Sequence, residues 1–241
     1  MNSSTEVNHE KLMELFGNVF NDVAGSMAIM MSYLGDQTGA YRAMDKLGPA
    51  TAEEIAKESN VDERYLLEWL SSNAGRGYVT YHDDTNQFSL SPEQAAVFAR
   101  ENEPTCIQGL VQGVVGQFVK EDVAVEVFKT GRGRPWGEHH ECCFCGTERF
   151  FRPAYAGHLL DEWIPAMEGV EEKLKKGAKV ADIGCGLGTS SMLMAEQYPN
   201  STIHAFDFHG PSIEEAKKRA AEKGLSNLEF FVSDAAAIPK E

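Results

Sequence analysis

Before Gly177, apolar residues recur mostly at helical spacing; beyond it they fall into short runs separated by glycine and polar turns. From His9 the positions Leu12, Met13, Leu15, Phe16, Val19 and Phe20 predict a first helix, preceded by a polar, frayed lead-in over residues 1–8. A second, more apolar helix carries Met27, Ile29, Met30, Met31, Tyr33 and Leu34 and runs towards Met44. Methionine-rich helical faces form cores or subunit contacts, and this much apolar surface ahead of any compact domain predicts a dimerisation element.

Residues 48–90 read as a winged helix-turn-helix. Pro49 stops the preceding helix, and Thr51-Ala52-Glu53-Glu54 is a capping box that opens the next, with Ile55 and Ala56 inward. Asn60-Val61-Asp62 makes the turn, and Asp62 starts a helix bearing Tyr65, Leu66, Trp69 and Leu70 that Gly75 and Gly77 end. Residues 78–81 and 87–90 form the hairpin, or wing, and Ser91-Pro92-Glu93-Gln94 caps another helix. Such a module suggests DNA binding. Its would-be recognition helix, however, holds Asp62, Glu63 and Glu68 against a single base, Arg64, where a groove reader needs the opposite balance.

Residues 106–146 are punctuated by glycine, with helices expected at 111–119 and 123–128 and a loop at 131–137. The run His139-His140-Glu141-Cys142-Cys143-Phe144-Cys145 suggests metal chemistry, but its cysteines are adjacent or one apart and no second pair follows. Structural zinc sites need paired knuckles, so the run is read as a loop without a metal. Over 147–176, Phe150, Phe151, Tyr155, Leu159, Leu160, Trp163 and Ile164 repeat helically, Pro165 interrupts, and Val170 to Lys176 makes a short helix closed by Gly177. This segment delivers the chain directly into the next motif, a position from which some of its aromatics can line a pocket.

From Lys179 the order becomes strand 179–183, helix 190–198, strand 202–207, a helix from the capping box Ser212-Ile213-Glu214-Glu215 to Lys223, and strand 228–232. This βαβαβ pattern predicts a parallel sheet of the open α/β class, whose ligands bind at the carboxyl ends of the strands. Asp182, Asp207 and Asp234 all lie at those ends.

Composition narrows the setting. Lysine and arginine number 22 against 37 acids in 241 residues, a net charge of −15, which repels phosphate backbones and argues against nucleic acid as a partner. No stretch is long and apolar enough to span a bilayer, and the N-terminus lacks a signal-peptide layout. The 5 cysteines form no spaced framework, which suits the reducing cytoplasm.

The glycine loop decides the ligand. Asp182-Ile183-Gly184-Cys185-Gly186-Leu187-Gly188 reads D-x-G-x-G-x-G, whereas a dinucleotide fingerprint needs G-x-G-x-x-G and here meets Thr189 at its third glycine. A P-loop is excluded because no Gly-Lys-Ser/Thr follows. With Val180 to Ser190 as motif I, Ala205-Phe206-Asp207-Phe208-His209 as motif II and Ser233-Asp234-Ala235 as the adenine-contacting motif, the chain resembles the class I S-adenosylmethionine-dependent methyltransferases. The Tyr155 to Gly169 segment and Tyr65-Leu66-Leu67-Glu68-Trp69-Leu70 resemble a two-domain branch in which a winged helix dimerises and covers the substrate.

The resemblance implies an α/β architecture: a helical winged-helix dimerisation domain over 1–105, a helical linker and pocket-covering segment over 106–176, and a Rossmann-like S-adenosylmethionine-binding domain over 177–241. It implies that the N–H groups around Gly184, Cys185 and Gly186, with Asp182, hold the methionine end of the cofactor. Asp207 would take both ribose hydroxyls. Phe208 would pack on adenine, while Asp234 and the Ala235 N–H would bond its edge. The acceptor is expected to be a small molecule and the chain a homodimer through its N-terminal helices. His158, His204 and His209 lie nearby, but no pattern marks a catalytic base. The family sheet has further strands, so a chain stopping at Glu241 reads as a fragment or truncated gene product, with its first strand at a sheet edge. The competing expectation is a non-enzymatic winged-helix regulator or scaffold with a relic cofactor fold.

Overall fold

The computed structural model describes residues 7–238. Most of the expected lead-in (1–6) and the chain end at Glu241 lie outside the described residues. The chain divides into two compact units between Ala99 and Arg100.

In the first unit, α1 (His9–Thr38) is a single helix where the sequence suggests two. Asn8 caps it, accepting from the Lys11 N–H, and Gly39 in a left-handed conformation ends it. Gly17 and Gly25 sit inside without a break; each costs the helix only about 1 kcal/mol relative to alanine. There follow α2 (Ala40–Leu47), α3 (Ala52–Ser59), α4 (Glu63–Gly75), the hairpin strands β1 (Thr80–His82) and β2 (Gln87–Ser89), and α5 (Pro92–Phe98). Both expected capping boxes form, Thr51 with Glu54 and Ser91 with Gln94. The core gathers Tyr41, Met44, Ile55, Leu66, Trp69 and Leu70. Only the C-terminal part of α1 joins it. There the Trp69 indole donates to the Met31 carbonyl (2.8 Å), and a Cβ on Gly35 would fall 2.2 Å from the Trp69 ring. The preceding turns leave Leu12, Phe16, Val19, Phe20, Val23 and Met27 exposed.

The second unit begins with α6 (Gln108–Phe118) and α7 (Glu121–Thr130), then a 3₁₀ turn over Trp136–Glu138. Next comes α8 (Glu141–Ala154), a correction to the loop expected over 139–145. From Glu141 onward the run is not a loop but the start of a helix that packs on α6. Cys142 and Cys143 are buried, and a Cβ on Gly109 would lie 2.7 Å from the Gly146 carbonyl oxygen while one on Gly116 would lie 2.8 Å from the Cys143 sulfur. Small residues on both helices let α6 and α8 approach closely.

Pro153 lies inside α8, and the chain continues through a π-helical stretch, Tyr155–Trp163, to α9 (Val170–Lys176). A proline removes a ladder hydrogen bond, which accounts for the change of helical register just after it.

Strands β3 (Lys179–Ile183), β4 (Thr202–Asp207) and β5 (Leu228–Val232) form a parallel sheet in that order, with α10 (Thr189–Gln197) and α11 (Gly210–Glu222) between them in sequence. The register sets Asp182 opposite Ala205 and Asp207 opposite Val232. Ile203, Ala205, Leu228 and Phe230 pack with Met192, Ala195, Ile213 and Ala216. On the other face Phe206 stacks on Phe231 at 5.1 Å and both neighbour His204. Helix α11 starts at Gly210, so Ser212 lies inside its first turn and the expected Ser212–Glu215 capping box does not form.

Candidate active site

The chain turns from β3 into α10 through three glycines with positive φ: Gly184 (+77°), Gly186 (+54°) and Gly188 (+76°). They serve different ends. A Cβ on Gly188 would lie 2.7 Å from the Phe230 ring, so that glycine permits packing of the loop on the sheet. A Cβ on Gly184 or Gly186 would meet nothing within 4 Å. Those two residues face open space, a cavity of about 500 Å³ at the carboxyl ends of β3 and β4. It falls in the size range of small-molecule sites.

Six of the eight sequence-predicted residues converge on this cavity: Asp182, Gly184, Cys185, Gly186, Asp207 and Phe208. Asp234 and Ala235 do not line it. Asp234 instead caps the short 3₁₀ turn Ala235–Ala237, accepting from the Ala236 N–H (2.8 Å). The facing wall comes from residues that motif reading did not single out: Trp136, Phe144, Thr147 and Glu148, with Phe151 and Tyr155 from the aromatic-rich segment before the loop. The helical spacing of those last two was visible in the sequence. No local signal marked Trp136 or Glu148.

The hydrogen bonds revise the roles expected of the loop amides. The Gly184 and Cys185 N–H groups both donate to the Phe206 carbonyl (2.8 and 3.0 Å), and the Gly186 N–H donates to Asp207 Oδ2 (2.9 Å). These donors hold the loop against β4. What Gly184 and Gly186 present to the cavity is backbone without a side chain. Asp207 is itself fixed, since its Oδ1 accepts from the His209 N–H (2.8 Å), and each carboxylate oxygen keeps a second lone pair for a ligand. Asp182 accepts from the hydroxyls of Ser190 (2.7 Å) and Ser191 (2.6 Å) through one oxygen, Oδ2, which braces the first turn of α10.

An aromatic train closes the Asp207 side. Trp136 meets Phe144 edge-on (5.2 Å), Phe144 lies 4.6 Å from the His209 ring, and His209 Nδ1 pairs with the Ser212 hydroxyl (2.7 Å). Burial and the nearby Asp182 and Asp207 carboxylates push the Cys185 thiol up to about 12, so it stays protonated and unreactive. The charged side chains lining the cavity, Glu148, Asp182 and Asp207, are all acids. Among the described residues, no group of three or more His, Cys, Asp or Glu is arranged to hold a metal ion.

A parallel sheet whose glycine loop and strand-end acid open onto one cavity defines a Rossmann-like, ligand-binding α/β domain. Its kind follows from comparison with known proteins. Residues 25–100 match the Rv2258c-like winged HTH domain and residues 174–241 a methyltransferase domain. The chain therefore joins a winged HTH domain to a methyltransferase domain.

Over 60 residues it is 42% identical to the aklanonic acid methyltransferase DauC of Streptomyces sp. (strain C5), spanning 24% of this chain and 27% of that protein. Over 142 residues it is 28% identical to a probable chloroplastic tocopherol O-methyltransferase of Oryza sativa subsp. japonica, spanning 54% of this chain and 35% of that protein. The chain thus spans only a minor part of the length of these curated relatives.

Two solved structures share its fold along nearly the whole chain. The mitomycin 7-O-methyltransferase MmcR superposes with a TM-score of 0.65 at 16% identity, over 97% of this chain and 70% of that one. Human N-acetylserotonin methyltransferase, solved in complex with SAM, gives 0.63 at 13% identity, over 99% of this chain and 70% of that one.

Proposed function

We propose that the chain works as an S-adenosylmethionine-dependent methyltransferase on a small-molecule acceptor. The observation that carries this reading is the convergence of Asp182, the side-chain-free backbone of Gly184 and Gly186, Asp207 and Phe208 on one cavity at the strand ends. The cavity fits the cofactor chemically. Its charged lining is acidic, which favours a sulfonium cation over a pyrophosphate, and its aromatic wall suits a flat heterocycle.

Asp207, already oriented by two backbone N–H groups, would accept the two ribose hydroxyls. Phe208, 56% exposed beside it, would cover adenine. Asp234 and the Ala235 N–H, near the end of β5, would reach the adenine edge. The Gly184–Gly186 backbone and Asp182 would hold the methionine end.

When bound, S-adenosylmethionine supplies an activated methyl group. The chain's task is to align an acceptor in line with it and to exclude water. Trp136, Phe144, Phe151 and Tyr155 supply the water-excluding wall. No catalytic base is assigned.

The exposed stripe Leu12, Phe16, Val19, Val23 and Met27 on α1 follows the three- and four-residue steps of a helix-pairing seam, and a homodimer through α1 would bury it. Five free cysteines and the lack of a helix able to cross a membrane among the described residues suit a cytoplasmic setting. A DNA-binding role is disfavoured because Arg64, the one base within α4, is bonded to Glu68 (2.9 Å).

Calorimetry with S-adenosylhomocysteine tests the proposal. Saturable binding near one equivalent per chain is expected, and its absence in the folded protein overturns the enzyme reading.

A further inference from the structure

Helix α10 begins without a side-chain cap of its own, because its N-cap is Gly188. Its first three side chains find carboxylates elsewhere instead. Ser190 and Ser191 bond Asp182 on the adjoining strand, whereas Thr189 donates across to Glu148 Oε1 on α8 (2.9 Å). The Glu148 side chain is only 10% exposed, and Arg152 holds it through two parallel bonds (2.9 and 2.8 Å). Arg219 of α11 approaches the same oxygen at 3.7 Å. A carboxylate beside a helix N-terminus is also favoured by the helix dipole.

Glu148 therefore stands where three elements meet: the helix bearing the aromatic wall, the helix start that follows the glycine loop, and α11. It lines both the candidate active-site cavity and a second cavity of about 490 Å³ on its other side. With open space on either flank, the Thr189–Glu148 bond is a direct polar strut joining the wall of Phe144, Phe151 and Tyr155 to the cofactor loop.

We propose that Glu148 is a positioning residue for the cofactor site. By fixing Thr189 it sets the loop 184–188 at a defined distance from the α8 wall, so that cofactor affinity depends on a carboxylate that acts through Thr189. This inference rests on the S-adenosylmethionine reading, and one set of measurements separates the two. Wild type, Thr189→Val, Thr189→Ser, Glu148→Ala and the Glu148→Ala/Thr189→Val double variant are titrated with S-adenosylhomocysteine, and their melting temperatures are recorded in its absence.

Loss of one partly buried hydrogen bond predicts a dissociation constant raised about 5- to 10-fold in Thr189→Val. It should return to within about 2-fold of wild type in Thr189→Ser, which keeps the hydroxyl. The double variant should be no weaker than Glu148→Ala alone, because both changes break one link. Failure of wild type to bind overturns the cofactor reading. Wild-type binding with an unchanged constant in Thr189→Val, whatever its melting temperature, overturns the positioning role. So does a Thr189→Ser variant as weak as Thr189→Val, or full additivity in the double variant.

Discussion

Asp207→Asn probes the residue on which the loop geometry and the ligand reading both depend. The native carboxylate accepts one N–H on each oxygen, from Gly186 at 2.9 Å and His209 at 2.8 Å. An amide keeps one accepting oxygen and places an NH₂ against the other donor, so one of these two charge-assisted bonds is lost. Such bonds contribute about 1.5–3 kcal/mol each. A domain of this size shifts its midpoint by roughly 2–4 °C per kcal/mol, so a fall in Tm of about 3–12 °C follows. Ligand binding suffers separately. If the two ribose hydroxyls share the carboxylate, losing one of their acceptors weakens S-adenosylhomocysteine binding about 10- to 100-fold, at 1.4 kcal/mol per factor of ten. Thermal melting with and without ligand, together with calorimetry, reads both effects. A variant with wild-type affinity removes Asp207 from the ligand site. One with a wild-type melting temperature shows that its two backbone bonds do not brace the loop.

Other consequences are as direct. Because burial and two neighbouring carboxylates raise the Cys185 pKa, its folded-state thiol stays protonated at pH 8.5. Iodoacetamide followed by peptide mass spectrometry should modify the exposed Cys145 first and leave Cys185 unmodified until the protein unfolds; rapid Cys185 alkylation in the folded protein contradicts the assignment. The sign for stability follows from the same shift. The Cys185 contribution is complete below the unfolded-state pKa near 9 and is lost as pH rises towards about 12, so the stability read by equilibrium denaturation should fall across that window, and fall further than in Cys185→Ala. At the α6–α8 crossing, Gly146→Leu would place a Cβ 2.6 Å from both the Gly109 carbonyl oxygen and the Gly113 backbone nitrogen, and should destabilise by about 3 kcal/mol or more in urea melts. Finally, Phe16→Glu with Phe20→Glu should convert a dimer to a monomer in light scattering while leaving the far-UV spectrum unchanged; a monomeric wild type removes α1 as the interface.

The parts of the fold that local rules control were legible in the sequence. Thr51–Glu54 and Ser91–Gln94 are complete capping boxes, and they start α3 and α5 where their spacing says. The strands 179–183, 202–207 and 228–232 form as read, since Gly184, Asp207 and Pro199-Asn200 punctuate runs too short for helices. Where distant partners decide, local reading failed. The apolar positions at 12–20 and 27–34 suggested two helices, but they lie on one continuous helix, since Gly17 within the first set and Gly25 between the two cost too little to stop it. The His139–Cys145 run reads locally as a loop, and only the approach of Gly109, Gly113 and Gly116 shows why it turns helical, with Cys142 and Cys143 as small packing groups. The glycine loop suggested free N–H donors, and only the parallel register beside β4 shows the Phe206 carbonyl and Asp207 taking them. Likewise Trp136, Phe144 and Glu148 reach the cavity through the α6–α8 packing, which no sequence spacing around the motifs encodes.

The central claim is that the loop 184–188 and the end of β4 form one cofactor-binding surface. An amide-resolved NMR titration with S-adenosylhomocysteine tests it most directly. The expected result is saturable shifts concentrated at Gly184, Cys185, Gly186 and Thr189 and at Asp207, Phe208 and His209. Saturable shifts that leave these amides unmoved and cluster elsewhere in the chain, or no shifts at all, would contradict it.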